Sequence, residues 1–253
     1  METKKTARNR KVKYRYFMGD FETTVYEGQE RTDVWASALV EFGSEDVKIL
    51  PSISETWKEL TSIPGNVCVF YHNLKFDGAF WIDYFLSVLD LPQAVDDPFS
   101  AKPAFLKDHE MIDGTFKYVI SDDGNWYYIL VRTGRRFIMF RDSMKLLPFS
   151  VRKLGKEFGT KHRKSPEIEY SGFRFPGCEI SETEREYIKN DVLVVKEALE
   201  IMFSEGHDKL TIGSCCLAEY KSILNQFGNV YKSLFPDLYS VNLDPSVFGS
   251  TNV

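Results

Sequence analysis

The run Asn66–Tyr71 (NVCVFY) restricts the fold more than any other stretch of the chain. It is short, apolar and bounded by turn residues, the pattern of a buried strand. Helical spacing follows at once over Phe76–Leu89, through Phe80, Tyr84 and Val88. A buried strand that feeds a helix points to a layered α/β domain rather than to a bundle or a β-sandwich.

The rest of the chain repeats this alternation. Tyr14–Asp20 and Asp33–Phe42 read as strands, and Ser54–Ile63 as a helix. Residues 91–125 are rich in Pro, Asp and Gly and read as irregular. Trp126–Arg132 and Phe137–Asp142 flank a turn containing Gly134 and read as a hairpin. Val151–Phe158 reads as a short basic helix, and 160–180 as a loop. Ser181 and Glu184 have capping-box spacing, so a long helix is expected from there to about Phe203, then another over roughly Ser214–Phe227. The tail is strand-like at best. The fold class expected is α/β, with a mixed β-sheet flanked by helices.

Composition narrows function. Of 253 residues, 43% are hydrophobic and 27% charged, a globular balance. The formal charge of −5 speaks against a protein that coats duplex DNA, but suits one that gathers carboxylates around metal. Positive charge is local: Lys4, Lys5, Arg8, Arg10, Lys11, Lys13 and Arg15 at one end, and Arg152, Lys153, Lys156, Lys161, Arg163 and Lys164 further on. Solvated surface explains such runs as well as nucleic acid does. No C-x-x-C pair is present among four cysteines, so a zinc ribbon is not expected. No apolar run approaches membrane-spanning length, and a reduced, cytoplasmic compartment is expected.

Three elements carry carboxylates in suggestive settings. Asp20 and Glu22 lie two apart at the end of a strand, so both side chains share one face. Asp77 lies in the first turn of the helix that follows the buried strand, beside His72 and Asn73 at its C-terminal edge. Ligands gather at such strand ends, though a helix-capping role fits Asp77 equally well. Tyr187 and Asp191 lie four apart in the long helix, which stacks a phenol on a carboxylate. Each pattern alone is weak. Together they supply four carboxylates, the oxygen-rich set that two divalent ions about 3.5–4 Å apart require, and Mg²⁺ or Mn²⁺ is the expected pair.

At these residues the chain resembles the DEDD exonuclease superfamily, in its tyrosine-bearing branch. Asp20–Thr24 (DFETT), Tyr71–Phe80 (YHNLKFDGAF), Asp142–Phe149 (DSMKLLPF) and Tyr187–Asp191 (YIKND) are similar to the N-terminal 3′→5′ exonuclease domain of bacteriophage protein-primed family B DNA polymerases. The resemblance runs to about residue 245. It implies an RNase H-like fold and removal of nucleotides from single-stranded DNA ends, in proofreading and replication. It implies metal-ligand roles for Asp20, Glu22, Asp77 and Asp191, and a water-orienting role for Tyr187. Thr23, His72, Asn73, Phe76, Ser143 and Phe149 are implied to hold the 3′ end or the priming terminal protein. Met144 stands where the family has leucine and is expected to pack on a sugar or base. Lys164 is the nearest match to the family's catalytic lysine, one residue further than usual from the run Glu167-Ile168-Glu169-Tyr170.

These motifs divide the chain into a basic arm (1–13), an exonuclease domain (14–245) and a tail (246–253). No polymerase palm is expected in it: Asp237 and Asp244 lack the surrounding strands of a second site. Either a separate polymerase subunit is then an expected partner, beside the terminal protein, or the chain is cut from a longer one, and the cytoplasm of a phage-infected cell is the expected location. The alternative reading is a catalytically silent module that binds DNA or protein. An enzyme acting on RNA is a third reading, for the sequence carries no clear 2′-OH discriminator.

Overall fold

The computed structural model describes residues 13–101, 103–166, 173–226, 228 and 230–235. Most of the basic arm, the run Glu167–Tyr170, Asp237, Asp244 and the tail fall outside them. The chain divides into two units, Met1–Gly206 and His207–Val253.

The first unit is built on one seven-stranded sheet of order β3-β2-β1-β4-β7-β6-β5. Its strands are β1 (Tyr14–Thr23), β2 (Val34–Glu41), β3 (Lys48–Leu50), β4 (Asn66–Tyr71), β5 (Thr115–Ile120), β6 (Trp126–Thr133) and β7 (Arg136–Asp142). The centre, β1-β4-β7, is parallel, and both flanks are antiparallel. The mixed sheet and its flanking helices confirm the expected class. Helices α1 (Ile53–Ser62) and α2 (Leu74–Ser87) lie on one face, with α4 (Glu182–Ser204) on the other and α3 (Val151–Glu157) packed against α4.

Alternation along the central strands sorts side chains between these layers. Phe17 and Phe21 of β1, Val67, Val69 and Tyr71 of β4, and Ile138 and Phe140 of β7 enter a core with Trp81 and Phe85 of α2. Rings dominate it: Trp81 stacks on Phe140 at 4.6 Å and on Phe85 at 5.6 Å. The same strands send Tyr16 and Phe70 to the opposite face, where both meet Phe203 of α4 edge-on. Gly78 lets α2 settle on the sheet, because a Cβ there would stand 2.9 Å from the Trp126 ring.

Helix ends follow local chemistry. Ser52, Ser150 and Ser181 accept from the third backbone N–H of α1, α3 and α4. At α4 the expected box closes, since Glu184 also accepts from the Ser181 N–H at 2.8 Å.

Besides the three-residue β3, which the sequence pattern does not show, two elements differ from expectation. The stretch read as irregular contains β5, which pairs with β6 and, through Phe116, also bonds Pro92 and Ala94. Its Lys117 is buried and paired with Asp108 and the Leu106 carbonyl, a polar interruption that hides the strand pattern. In the second unit, α5 (Ile212–Asn225) is joined by a short helix α6 (Val230–Leu234) where a strand-like tail was expected. There Tyr220, Tyr231 and Phe235 pack ring against ring, and such spacing is helical rather than alternating.

Candidate active site

Asp20 and Glu22 lie within β1, which runs past them to Thr23. Both face the α4 side of the sheet, as Tyr16 does. Their cross-strand partners in β2 are Ala38 and Ala36. Methyl groups opposite the acids leave space that larger side chains would fill, a signal in the sequence that the motif reading passed over.

Asp77 is the fourth residue of α2 and is 2% exposed. It does not cap the helix. Its Oδ1 accepts from the Phe21 backbone N–H at 3.2 Å, between the two strand acids. Asn73 takes the N-cap position in the left-handed region (φ 76°, ψ 62°) without a side-chain cap. The helix start is held instead by Asp142, at the end of β7. Its Oδ1 accepts from the backbone N–H groups of Asn73 (3.3 Å), Leu74 (3.4 Å) and Met144 (3.0 Å). Asp142 was visible in sequence as an Asp before Ser at a strand end, but only the contacts give it this anchoring position.

Asp191 comes from α4, one turn after Tyr187. Its Oδ2 is 2.7 Å from Lys164 Nζ, while its Oδ1 is buried without a hydrogen-bond partner. Lys164 also lies 5.5 Å from the centre of the Tyr187 ring. The structure therefore brings Lys164 to the acids despite its unusual spacing.

Electrostatics tie the four acids together. Burial and then the negative charges of Asp77, Glu22 and Asp191 push Asp20 well above the usual carboxylate range. Burial, with Glu22 and Asp142 adding, pushes Asp77 up to about 8. Burial also raises Asp191, by more than Lys164 offsets. Burial alone would lower Lys164, but Asp191 and Tyr187 outweigh it and raise it. Tyr187 is raised by burial and by Asp191.

The remaining motif residues border this cluster. His72 Nε2 is 2.7 Å from the Phe149 carbonyl, which can only accept, so that nitrogen carries the proton. In the neutral ring Nδ1 then accepts from Ser143 Oγ at 2.8 Å. Burial lowers the His72 pKa and favours this form. Phe76 and Phe149 are 47% and 36% exposed, which opposes a core-packing role for either. Lys153 Nζ sits 4.1 Å from the Phe149 ring centre. Met144 is half-buried beside Ser143, and Thr23 closes β1 at a register shift.

A divalent cation suits the chemistry of this donor set. The donors are all oxygen, they repel one another, and Asp191 Oδ1 is an orphaned buried acceptor. As the side chains stand, no three His, Cys, Asp or Glu among the described residues are grouped closely enough to hold one ion.

Comparison with known proteins bears on this geometry. Residues 60–175 match the family of DNA polymerases of type B, organellar and viral. The chain is 34% identical to the DNA polymerase of Bacillus phage Nf over 237 residues, which is 91% of this chain and 37% of that one. Among solved structures it is similar to phi29 DNA polymerase complexed with primer-template DNA, with a TM-score of 0.73 and 29% identity over 93% of this chain and 38% of that one. It is also similar to phi29 DNA polymerase complexed with single-stranded DNA, with a TM-score of 0.69 and 30% identity over 85% of this chain and 36% of that one. The chain thus spans little more than a third of the length of the polymerases it matches. Among the described residues no helix is long and apolar enough to cross a membrane.

Proposed function

We propose that this chain, a relative of the organellar and viral type B DNA polymerases, performs a 3′→5′ exonuclease reaction on single-stranded DNA ends. One observation carries this reading: Asp20 and Glu22 at the C-terminal end of β1, Asp77 of α2 bonded to the Phe21 N–H between them, and Asp191 of α4 come within electrostatic reach of one another from three elements far apart in sequence. A binding surface has no need of such mutually repelling acids, and their repulsion costs stability.

In this reading Asp20, Glu22, Asp77 and Asp191 would hold two Mg²⁺ or Mn²⁺ ions. Bound there, the ions supply an activated water and neutralise charge on the scissile phosphate and the departing 3′ oxygen. The protein does the rest. Asp191 is oriented by Lys164, whose charge also faces the incoming phosphate. Tyr187, half-buried one turn away, orients the attacking water through its hydroxyl. His72 joins Ser143 to the Phe149 carbonyl, fixing the wall along which the strand enters. Phe76 and Phe149 offer exposed ring faces to unpaired bases, each worth about 1–3 kcal/mol by stacking. Asn73, Thr23 and Met144 complete that wall. Within a replication complex this activity would serve proofreading, with a polymerase active site or terminal protein as partner.

The test is hydrolysis of labelled single-stranded DNA, blunt duplex and RNA in Mg²⁺, Mn²⁺ or chelator, with Asp20→Ala as control. Metal-dependent release of nucleotides from the 3′ end, fastest on single-stranded DNA and absent in the variant, is expected. Tight DNA binding without hydrolysis under any metal would establish the silent module instead.

A further inference from the structure

Beside the carboxylates a cleft of about 330 Å³ opens, and its lining includes Glu22, Thr23, Tyr26, Phe76, Phe173 and Arg174. Small-ligand clefts begin at about this size. Two of its lining rings are exposed, Tyr26 at 44% and Phe173 at 62%, and neighbouring Phe175 is 49% accessible. The rings are mutually arranged. Tyr26 and Phe173 have centroids 5.0 Å apart, and Phe175 stacks behind Phe173 at 6.0 Å with planes 28° apart. Exposed aromatic surface gathered at one place marks a contact site rather than a core.

We propose that Tyr26 and Phe173, backed by Phe175, form a stacking subsite for an unpaired base of the DNA strand. That base is the one next to the nucleotide held at the carboxylates. The inference rests on the exonuclease reading, and continuity with that site is its main support. Glu22 and Thr23 line the cleft and belong to the candidate site, so a strand anchored there must pass these rings.

The charge pattern selects a base over a phosphate. Glu22 at the inner end repels anions. The cation in the cleft wall, Arg174, is already engaged: its guanidinium pairs with buried Glu184 and lies 5.1 Å from the Trp35 ring centre. A phosphate meets a cation that is already paired, whereas a nucleobase finds the exposed ring faces of Tyr26 and Phe173. Binding at this subsite should therefore depend weakly on salt, unlike contacts that neutralise phosphates.

Two substrates separate the subsite from the chemistry. The p-nitrophenyl ester of thymidine 5′-monophosphate occupies the carboxylate site alone, while a short oligothymidylate reaches the rings. Phe173→Ala and Tyr26→Ala should each raise KM for the oligonucleotide roughly tenfold, leaving its kcat and ester hydrolysis unchanged. Phe173→Leu should behave like Phe173→Ala, since it keeps bulk but loses the π-face, and Phe173→Trp should restore the wild-type KM. An unchanged oligonucleotide KM, an equal loss on the ester, or full affinity in Phe173→Leu would each overturn the subsite. If the wild type hydrolyses neither substrate, the exonuclease reading fails instead. Quenching of Phe173→Trp fluorescence by oligothymidylate then decides the subsite alone, and absence of quenching overturns it.

Discussion

The two faces of β1 make opposite demands. One side sends Phe17 and Phe21 into a ring-packed core where Trp81, Phe85 and Phe140 are fully buried. The other carries Asp20 and Glu22 opposite Ala38 and Ala36, with Asp77 and Asp191 brought within electrostatic reach. Burial stabilises the first face at about 25 cal/mol per Å² of apolar surface. The second loses stability by crowding partly desolvated acids. The aromatic face is a rigid platform, and the acidic face is a strained set of groups that only the platform keeps in place. Trp81 and Asp77 leave the same helix, α2, so support and reactive group are coupled through one backbone element.

The sharpest way to break this contrast is to injure each face in turn. Trp81→Ala removes a fully buried indole that stacks on two rings, and should cost about 3–5 kcal/mol of stability, read as a lower urea midpoint. Asp20→Asn should leave the midpoint in chelator unchanged or higher, because burial and the neighbouring acids oppose ionisation of Asp20. It should lower metal-dependent hydrolysis on the order of 10²–10³-fold, the scale of losing one electrostatic stabiliser. A stability loss in Asp20→Asn as large as in Trp81→Ala would dissolve the distinction between platform and site.

A second test uses pH. The Asp77 carboxyl is pushed from its ordinary 3.8 up to about 8. Between those values the folded protein holds a proton that the unfolded chain releases. The unfolded state binds fewer protons, so stability falls as pH rises through that window. In chelator the melting temperature should fall between about pH 5 and about pH 8 more steeply in wild type than in Asp77→Asn, and level off above that. Divalent cation binds the ionised acids, so the rise in melting temperature on adding Mn²⁺ should grow with pH. A metal-free melting temperature that climbs over this range would place the proton elsewhere.

The same contrast explains what was legible in the sequence. Platform elements advertise themselves by period: Asn66–Tyr71 matched β4 to the residue, and the capping box at Ser181 and Glu184 marked α4. Elements without apolar period were missed, as with β5 and the three-residue β3, whose pairing with neighbours makes them strands. The acids were legible as motifs, because D-x-E on a strand and Y-x-x-x-D on a helix fix which side chains share a face. Their relation across space was not, since nothing local joins Lys164 to Asp191 over a 27-residue separation. Asp142 illustrates the remainder. Its role lies in backbone N–H groups, which carry no side-chain signature.

Asp142 also supplies the smallest and most discriminating effect, because it joins the two faces. Its Oδ1 receives the N–H groups of Asn73 and Leu74, which open α2, and of Met144, which follows β7. Asp142→Asn keeps an oxygen that can accept all three bonds but removes the charge favoured at a helix N-terminus. The stability cost should be about 0.5–1 kcal/mol. Asp142→Ala removes the acceptor as well, leaves partly buried donors unpaired and should cost about 1–3 kcal/mol. Because α2 carries Asp77 and the short 3-10 turn after β7 carries Ser143, loosening this anchor should weaken metal binding beyond what the stability loss implies. The measurement is Mn²⁺ affinity by calorimetry at a temperature where both variants remain folded, beside urea midpoints. Affinity lowered in Asp142→Ala and nearly retained in Asp142→Asn would show that the acceptor, through the helix start, positions Asp77. Equal affinity in wild type and Asp142→Ala would mean that the aromatic platform alone holds the acid in place.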